Sequence, residues 1–231
     1  IPEGPAHSHA AEQAAEVDEV LAARGARPVE WLLANAPVDR RWCLVHATQM
    51  TAPETAALAR SGAVAGLCPV TEANLGDGIF DGAALRAAGG RFGVGTDSNV
   101  MISLADELRL LEYGQRLRDR ARGVMADPGQ STGRALYEAV LAGGAQAAGR
   151  KTGAIAAAHW ADLVALDSAS IALEGAEGDD LLDAWIFAAR QPLVREVWSA
   201  GRVMVRDGRH VSRDAVEAAY RATMVRLRSR S

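Results

Sequence analysis

Apolar runs alternate with polar stretches along the first hundred residues, and the runs have two lengths. Arg41-Trp42-Cys43-Leu44-Val45-His46 is almost wholly apolar up to its last residue. That pattern suits a parallel strand buried on both faces and ending at His46. Residues 63–68 and 91–97 read the same way, and the opening stretch around Pro5-Ala6-His7-Ser8-His9-Ala10 reads as a strand ending near Ala10. Between them the spacing is helical. Residues 17–24 and 28–35 predict helices separated by Gly25, with Pro28 suited to a first turn. Thr51 caps the next helix, which tolerates Pro53 near its start and stops at Gly62. Residues 69–78 read as a long polar loop, followed by a short helix over 82–88 and a Leu-rich helix over 104–122.

Four successive strand-to-helix units close either into a barrel of alternating strands and helices or into an open doubly wound sheet. The polar residues favour the barrel. His9, His46, the 69–78 stretch and Asp97 fall at the C-terminal ends of four different strands, where barrel enzymes collect their chemistry. A doubly wound sheet would gather them at one switch point, and no phosphate-cradling glycine fingerprint opens a helix, since Gly93-Val94-Gly95 lies inside a strand.

Beyond Gly123 the pattern changes to a helix over 133–148, a strand over 162–167, an amphipathic stretch over 180–189 and a hairpin over 194–211. Asp207-Gly208 is the strongest turn signal of that hairpin, and a final helix spans 213–228. A lone hairpin is marginal, so these strands are expected to complete a small sheet. The division expected is therefore 1–150 for the strand-helix units and 151–231 for the smaller β part.

With 231 residues and 49% hydrophobic content the chain can bury a substantial core. Its net charge of −4, with the short Arg226-Leu227-Arg228-Ser229-Arg230 tail as a solvated helix end, argues against nucleic acid and anionic membranes as partners. Cys43 and Cys68 both sit in apolar runs and read as buried thiols of a reducing compartment, making the cytoplasm the expected location. No apolar run has spanning length, and the chain opens on Ile1, directly before a strand, as though cut.

His7 and His9 share a face of the first strand, and Glu12 meets His9 only if the strand ends and the chain curls back. An imidazole able to hold a metal beside a carboxylate able to move a proton outlines a hydrolytic site. Blander readings stand beside this one: histidines at a polar strand end, Glu12 at the start of a helix, and Asp97 as a cap. His159 and His210 lack such company and receive no role.

His9-Ala10-Ala11-Glu12, the isolated His46, Cys68-Pro69 and Gly95-Thr96-Asp97 together resemble the metal-dependent amidohydrolases, in their deaminase branch. Within it, Trp42-Cys43-Leu44-Val45-His46-Ala47-Thr48 and Thr71-Glu72-Ala73-Asn74-Leu75-Gly76-Asp77-Gly78 are most similar to the formimidoylglutamate deiminases. The resemblance runs over essentially the whole chain. It implies an α/β fold, the second half of a (β/α)8 TIM barrel from its fifth strand onward, with part of a small β domain. It also implies one divalent metal ion, zinc being the expected one, held by His9 and Asp97 and by ligands from a preceding half-barrel that the site requires. His46 would polarise the reacting group and contact substrate, Glu12 would shuttle protons, Asp97 would accept the proton of the attacking water, and His7 would support the site without binding metal. Glu72 and Asn74 would contact the glutamate part of a small-molecule substrate, in a homodimeric enzyme of histidine degradation that releases ammonia. The alternatives are a deaminase or chlorohydrolase acting on a nucleobase or triazine ring, which the 5% aromatic content disfavours, and a noncatalytic half-barrel module.

Overall fold

The computed structural model describes residues 3–98 and 100–229; Ile1, where the chain opens, and Arg230 of the basic tail lie outside them. Strand β1 (Ala6–Ala10) leads through α1 (Ala14–Arg24) and α2 (Pro28–Asn35) into β2 (Trp42–His46). Helix α3 (Ala52–Ser61) returns to β3 (Val64–Leu67), and α4 (Pro69–Leu75) with α5 (Gly82–Ala87) returns to β4 (Arg91–Val94). The four strands form one parallel sheet in sequence order, without the crossover of a doubly wound sheet. Local signals set the helix ends as expected: the Thr51 hydroxyl accepts from the Glu54 amide, Pro28 opens α2, and Gly25 and Gly62 close their helices in the left-handed conformation.

One stretch departs from expectation. Residues 69–75 form helix α4, where a loop was expected. Pro69 reads as a breaker, yet proline suits the first helical turn, and the Glu72 carboxylate reaches back 2.9 Å to accept from the Cys68 amide. Gly76, at φ 78°, ends the helix.

Both faces of the parallel sheet are covered, which is why its strands read as continuous apolar runs. Ala10, Leu44, Ala65, Leu67 and Phe92 join Val17, Val29, Leu58 and Leu85 of the flanking helices in one core. Helices α6 (Leu104–Asp119) and α7 (Thr132–Ala147) follow β4. The end of α7 covers the opposite face, where Ala147 packs with Cys43 and Val64. Helix and strand approach so closely that a Cβ on Gly143 would stand 1.9 Å from the carbonyl oxygen of Phe92.

The remaining elements are β5 (Leu163–Leu166), a 3₁₀ turn (Ile171–Leu173), α8 (Asp179–Asp183), a π-helical turn (Ala184–Ala188), β6 (Val194–Ser199), β7 (Arg202–Arg206), β8 (Arg209–His210) and α9 (Arg213–Arg228). Strands β5 to β8 form a second, antiparallel sheet. The single expected hairpin is two: besides Asp207-Gly208, Ala200-Gly201 turns with both φ positive, at 52° and 76°. Alanine is a poor turn signal, but the Asp162 carboxylate accepts from the Ala200 amide at 2.7 Å and holds the turn from outside.

Helix α9 buries no side chain among its described residues, and Val216, Tyr220 and Leu227 on it are exposed. The total accessible surface is 13403 Å², against about 10,000 Å² for a compact monomer of this mass. Apolar faces on α9 and on edge strand β5, where Val164 is also exposed, account for part of the surplus. Among the described residues, no helix is long and apolar enough to cross a membrane.

Candidate metal centre and active site

The site is assembled where the four parallel strands end, and left-handed backbone marks it. Ala11, His46, Ala47 and Asp97 have φ of 53°, 67°, 52° and 42°. Non-glycine residues held there cost roughly 1–3 kcal/mol each and gather where function requires them. At His46 the reason is visible. Strand alternation would send its ring toward the helix-packed face occupied by Leu44, two residues earlier. The positive φ turns the buried ring instead toward His9, on the neighbouring strand, with ring centroids 5.3 Å apart.

At the end of β1, Glu16 takes both free amides of the turn, accepting from Ala11 and Glu12 at 2.8 Å each. The acid in the first turn of α1 is thus Glu16, and Glu12 is left to swing over the strand ends. Its Oε1 lies 3.6 Å from Nε2 of His46. Gln49 braces the same region: its side-chain amide donates to the carbonyl of Glu12 at 3.3 Å and to that of Asp77. Sequence reasoning found neither Glu16 nor Gln49. The signal available for Glu16 was its place in the first turn of a helix without a side-chain cap; Gln49 gave none.

On the far side of the His46 ring, Nδ1 meets Oε1 of Glu72 at 3.3 Å. Glu72, expected to reach for substrate, is buried on α4 behind His46. Asn74 is exposed on the same helix. Thr71 serves the fourth strand end: its hydroxyl accepts from the Ser98 amide at 3.3 Å and pairs with the Ser98 hydroxyl at 2.9 Å, steadying the turn that carries Asp97. His7 stands apart from the cluster, its Nε2 2.8 Å from the carbonyl of Ala147.

One donor atom from each of His9, His46 and Asp97 can be chosen so that all three lie within 4.8 Å of one another. Two imidazoles and a carboxylate at that spacing fit a divalent ion of borderline softness, such as zinc, better than a purely oxygen-seeking one. His46, Cys68 and Glu72 form a second group of the same compactness. Burial pushes the Cys68 thiol up to about 12, helped by Glu72, Asp97 and Glu107, and burial alone takes Cys43 to about 11. Both are therefore protonated thiols, poor metal ligands as they stand.

The electrostatics of the proton-handling pair are reciprocal. Burial raises the Glu12 carboxyl, as do Asp77 and Asp97, against the opposing pull of His46 and His9. Burial is also the largest single influence on His46 and would lower it, but the hydrogen bond to Glu72 and the charges of Glu12, Glu72 and Asp97 together raise it. A concavity of 840 Å³, lined by Arg40, Arg41, Arg91 and Arg150 among others, lies at the opposite ends of the strands.

Comparison with known proteins agrees with this geometry. The chain is 54% identical over 94% of its length to formimidoylglutamate deiminase of Pseudomonas aeruginosa, and the match covers 48% of that protein. A crystal structure of an amidohydrolase from Brucella melitensis superposes with a TM-score of 0.92 at 50% identity, over 98% of this chain and 50% of that one. An adenosine deaminase from Xanthomonas campestris with bound zinc superposes with a TM-score of 0.84 at 27% identity, over 98% of this chain and 51% of that one. The chain thus spans about half the length of the relatives it matches, and its parallel sheet with flanking helices is the second half of an amidohydrolase TIM barrel. The sequence profile of the amidohydrolase family matches residues 4–204, and the chain belongs to that family.

Proposed function

We propose that this chain supplies the second half-barrel and part of the small β domain of a metal-dependent enzyme that hydrolyses N-formimidoyl-L-glutamate to N-formyl-L-glutamate and ammonia. The observation that carries the reading is the convergence of His9, Glu12, His46 and Asp97 at adjacent strand ends, in a chain 54% identical to a deiminase of that name. The surplus surface of this chain supports a requirement for a preceding half-barrel, which would contribute the remaining ligands. Division into 1–150 and 151–231 follows the two sheets.

His9 and Asp97 would hold the ion, one imidazole and one carboxylate of the kind zinc accepts, with His46 beside them for the reacting group. When bound, it supplies activation of a water for attack near neutral pH. Asp97 takes up the proton of that water. Glu12, whose carboxyl burial raises above its ordinary value, delivers a proton to the nitrogen that departs as ammonia. His46, placed between Glu12 and the ion-holding pair, faces the oxygen on which charge develops. Water adds to the formimidoyl carbon, the bond to the terminal nitrogen breaks, and the formyl group stays on glutamate.

Glu72 does not suit the glutamate end of such a substrate, because a buried carboxylate would repel both of its carboxylates. Asn74, exposed on α4, remains the candidate contact from this half. The adenosine deaminase relative raises a second reading, a ring substrate, at half the sequence identity. An ammonia-release assay on the polypeptide completed by its first half-barrel separates them. N-formimidoyl-L-glutamate should turn over and adenosine should not; the reverse preference would overturn the assignment.

A further inference from the structure

We infer that Glu72 is a positioning residue for His46, fixing the tilt and the tautomer of its ring so that Nε2 faces Glu12 and the reacting group. The inference deepens the proposed deaminase reading and rests on it for the catalytic consequence.

His46 leaves β2 with a left-handed backbone, so the pleat no longer dictates where its ring points. Something else must. The ring is buried, and its two nitrogens face two carboxylates on different elements: Glu12 beyond β1, 3.6 Å from Nε2, and Glu72 on α4, 3.3 Å from Nδ1. A carboxylate oxygen hydrogen-bonded to Nδ1 accepts from that nitrogen, so the neutral ring keeps its lone pair on Nε2, which can donate toward the reacting oxygen once it has taken up a proton from the adjacent Glu12. Glu72 is itself fixed, since the same Oε1 accepts from the Cys68 amide at 2.9 Å. That amide opens α4 directly after β3, so the strand end, the helix and the ring form one chain of contacts. A substrate-binding role would need a side chain directed into open space, whereas Glu72 is 3% exposed.

A carboxylate that only capped α4 would show the same bond to Cys68, so the test must read His46 itself. The completed polypeptide, labelled with ¹⁵N-histidine, is examined by NMR at alkaline pH, with His46 identified from the signals missing in His46→Gln. The ring should hold its proton on Nδ1 as a single tautomer; Glu72→Ala should mix the tautomers, and Glu72→Gln, whose amide oxygen can replace Oε1, should restore the first. In ammonia release, Glu72→Ala should lower kcat roughly 10- to 100-fold with little change in KM, as loss of a supporting partner behind a site histidine does. Repeated in the His46→Gln background, the same substitution should cost almost nothing further. An unchanged tautomer in Glu72→Ala, or equal losses in both backgrounds, overturns the inference and leaves Glu72 a helix cap. A tautomer shift in a polypeptide inactive on N-formimidoyl-L-glutamate supports the positioning role and sinks the substrate assignment instead.

Discussion

Glu12 and His46 belong to different strand ends, yet Oε1 of one lies 3.6 Å from Nε2 of the other, so that Glu12 raises the proton affinity of His46 while His46 pulls against the burial that raises Glu12. Neither is placed by its own strand alone. Glu12 is freed because Glu16 occupies the amides of the β1 turn, and His46 is turned by its positive φ.

Glu12→Gln in the completed polypeptide should therefore keep its metal and lose roughly 10²-fold or more in rate, the contribution of a positioned acid-base group. His9→Ala and Asp97→Asn should lose the metal. Elemental analysis after gel filtration, set beside the ammonia assay, distinguishes the two behaviours. Full metal content in His9→Ala would remove that residue from the ligand set.

A pH dependence of stability follows from Glu107 of α6. Burial, then the nearby charges of Glu72 and Asp106, raise its carboxyl to about 7 against a bond from the Val70 amide, while its Oε1 is buried without a partner. The folded state therefore holds this proton more tightly than the unfolded state, whose value is 4.5. Its contribution favours folding below that value and is lost as pH rises through about 7, by an amount on the order of 3 kcal/mol. Thermal midpoints of wild type and Glu107→Gln between pH 5 and 8 should diverge, the variant gaining relative stability toward pH 8. Parallel curves would show that Glu107 titrates normally.

The parts of this molecule written in local chemistry were legible in the sequence. Pro28, Thr51, Gly25 and Gly62 act on their own helix ends, and β2 announced itself by burial on both faces. What could not be read depended on partners distant in the chain. The Ala200 turn is held by Asp162, and the place of Glu72 depends on a histidine 26 residues earlier. Pro69 shows the opposite failure, a local signal with two meanings: proline both breaks helices and starts them, and only the return of Glu72 to the Cys68 amide decides between the two. The residues of the candidate site were legible as a group at strand ends because strand ends gather polar groups, but the left-handed backbone at His46 and Asp97 left no trace in composition.

The clasp between α6 and the π-helical turn should matter for stability more than its half-exposed arginine suggests. Arg109 donates to the carbonyls of Ile186 at 2.6 Å and Ala189 at 2.8 Å while pairing with Asp106. Ile186 and Ala189 are buried, so Arg109→Met leaves two carbonyls without these partners. Hydrogen bonds from charged groups contribute about 1.5–3 kcal/mol each, and a loss of at least about 2 kcal/mol is expected in urea denaturation. A midpoint within error of wild type would mean that water replaces the guanidinium at no cost.

The last expectation concerns how closely the metal centre depends on packing far from it. Gly143 lies in α7, where a Cβ would be 1.9 Å from the carbonyl oxygen and 2.5 Å from the carbonyl carbon of Phe92, both backbone atoms that no rotamer change can move aside. Gly143→Ala must therefore push α7 and β4 apart. Overpacking of this kind costs about 1–3 kcal/mol and sometimes more. Asp97 lies three residues beyond the end of β4, on a turn fastened to α4 through Thr71 and Ser98, so a displaced strand moves one proposed ligand while His9 keeps its own support. The variant should fold with a lowered melting temperature and bind zinc more weakly, and the zinc defect should exceed that of Gly144→Ala, whose Cβ would meet nothing within 4 Å. Equal zinc affinity in the two variants, with only Gly143→Ala destabilised, would show that the Asp97 turn is held by Thr71 and not by the seating of β4.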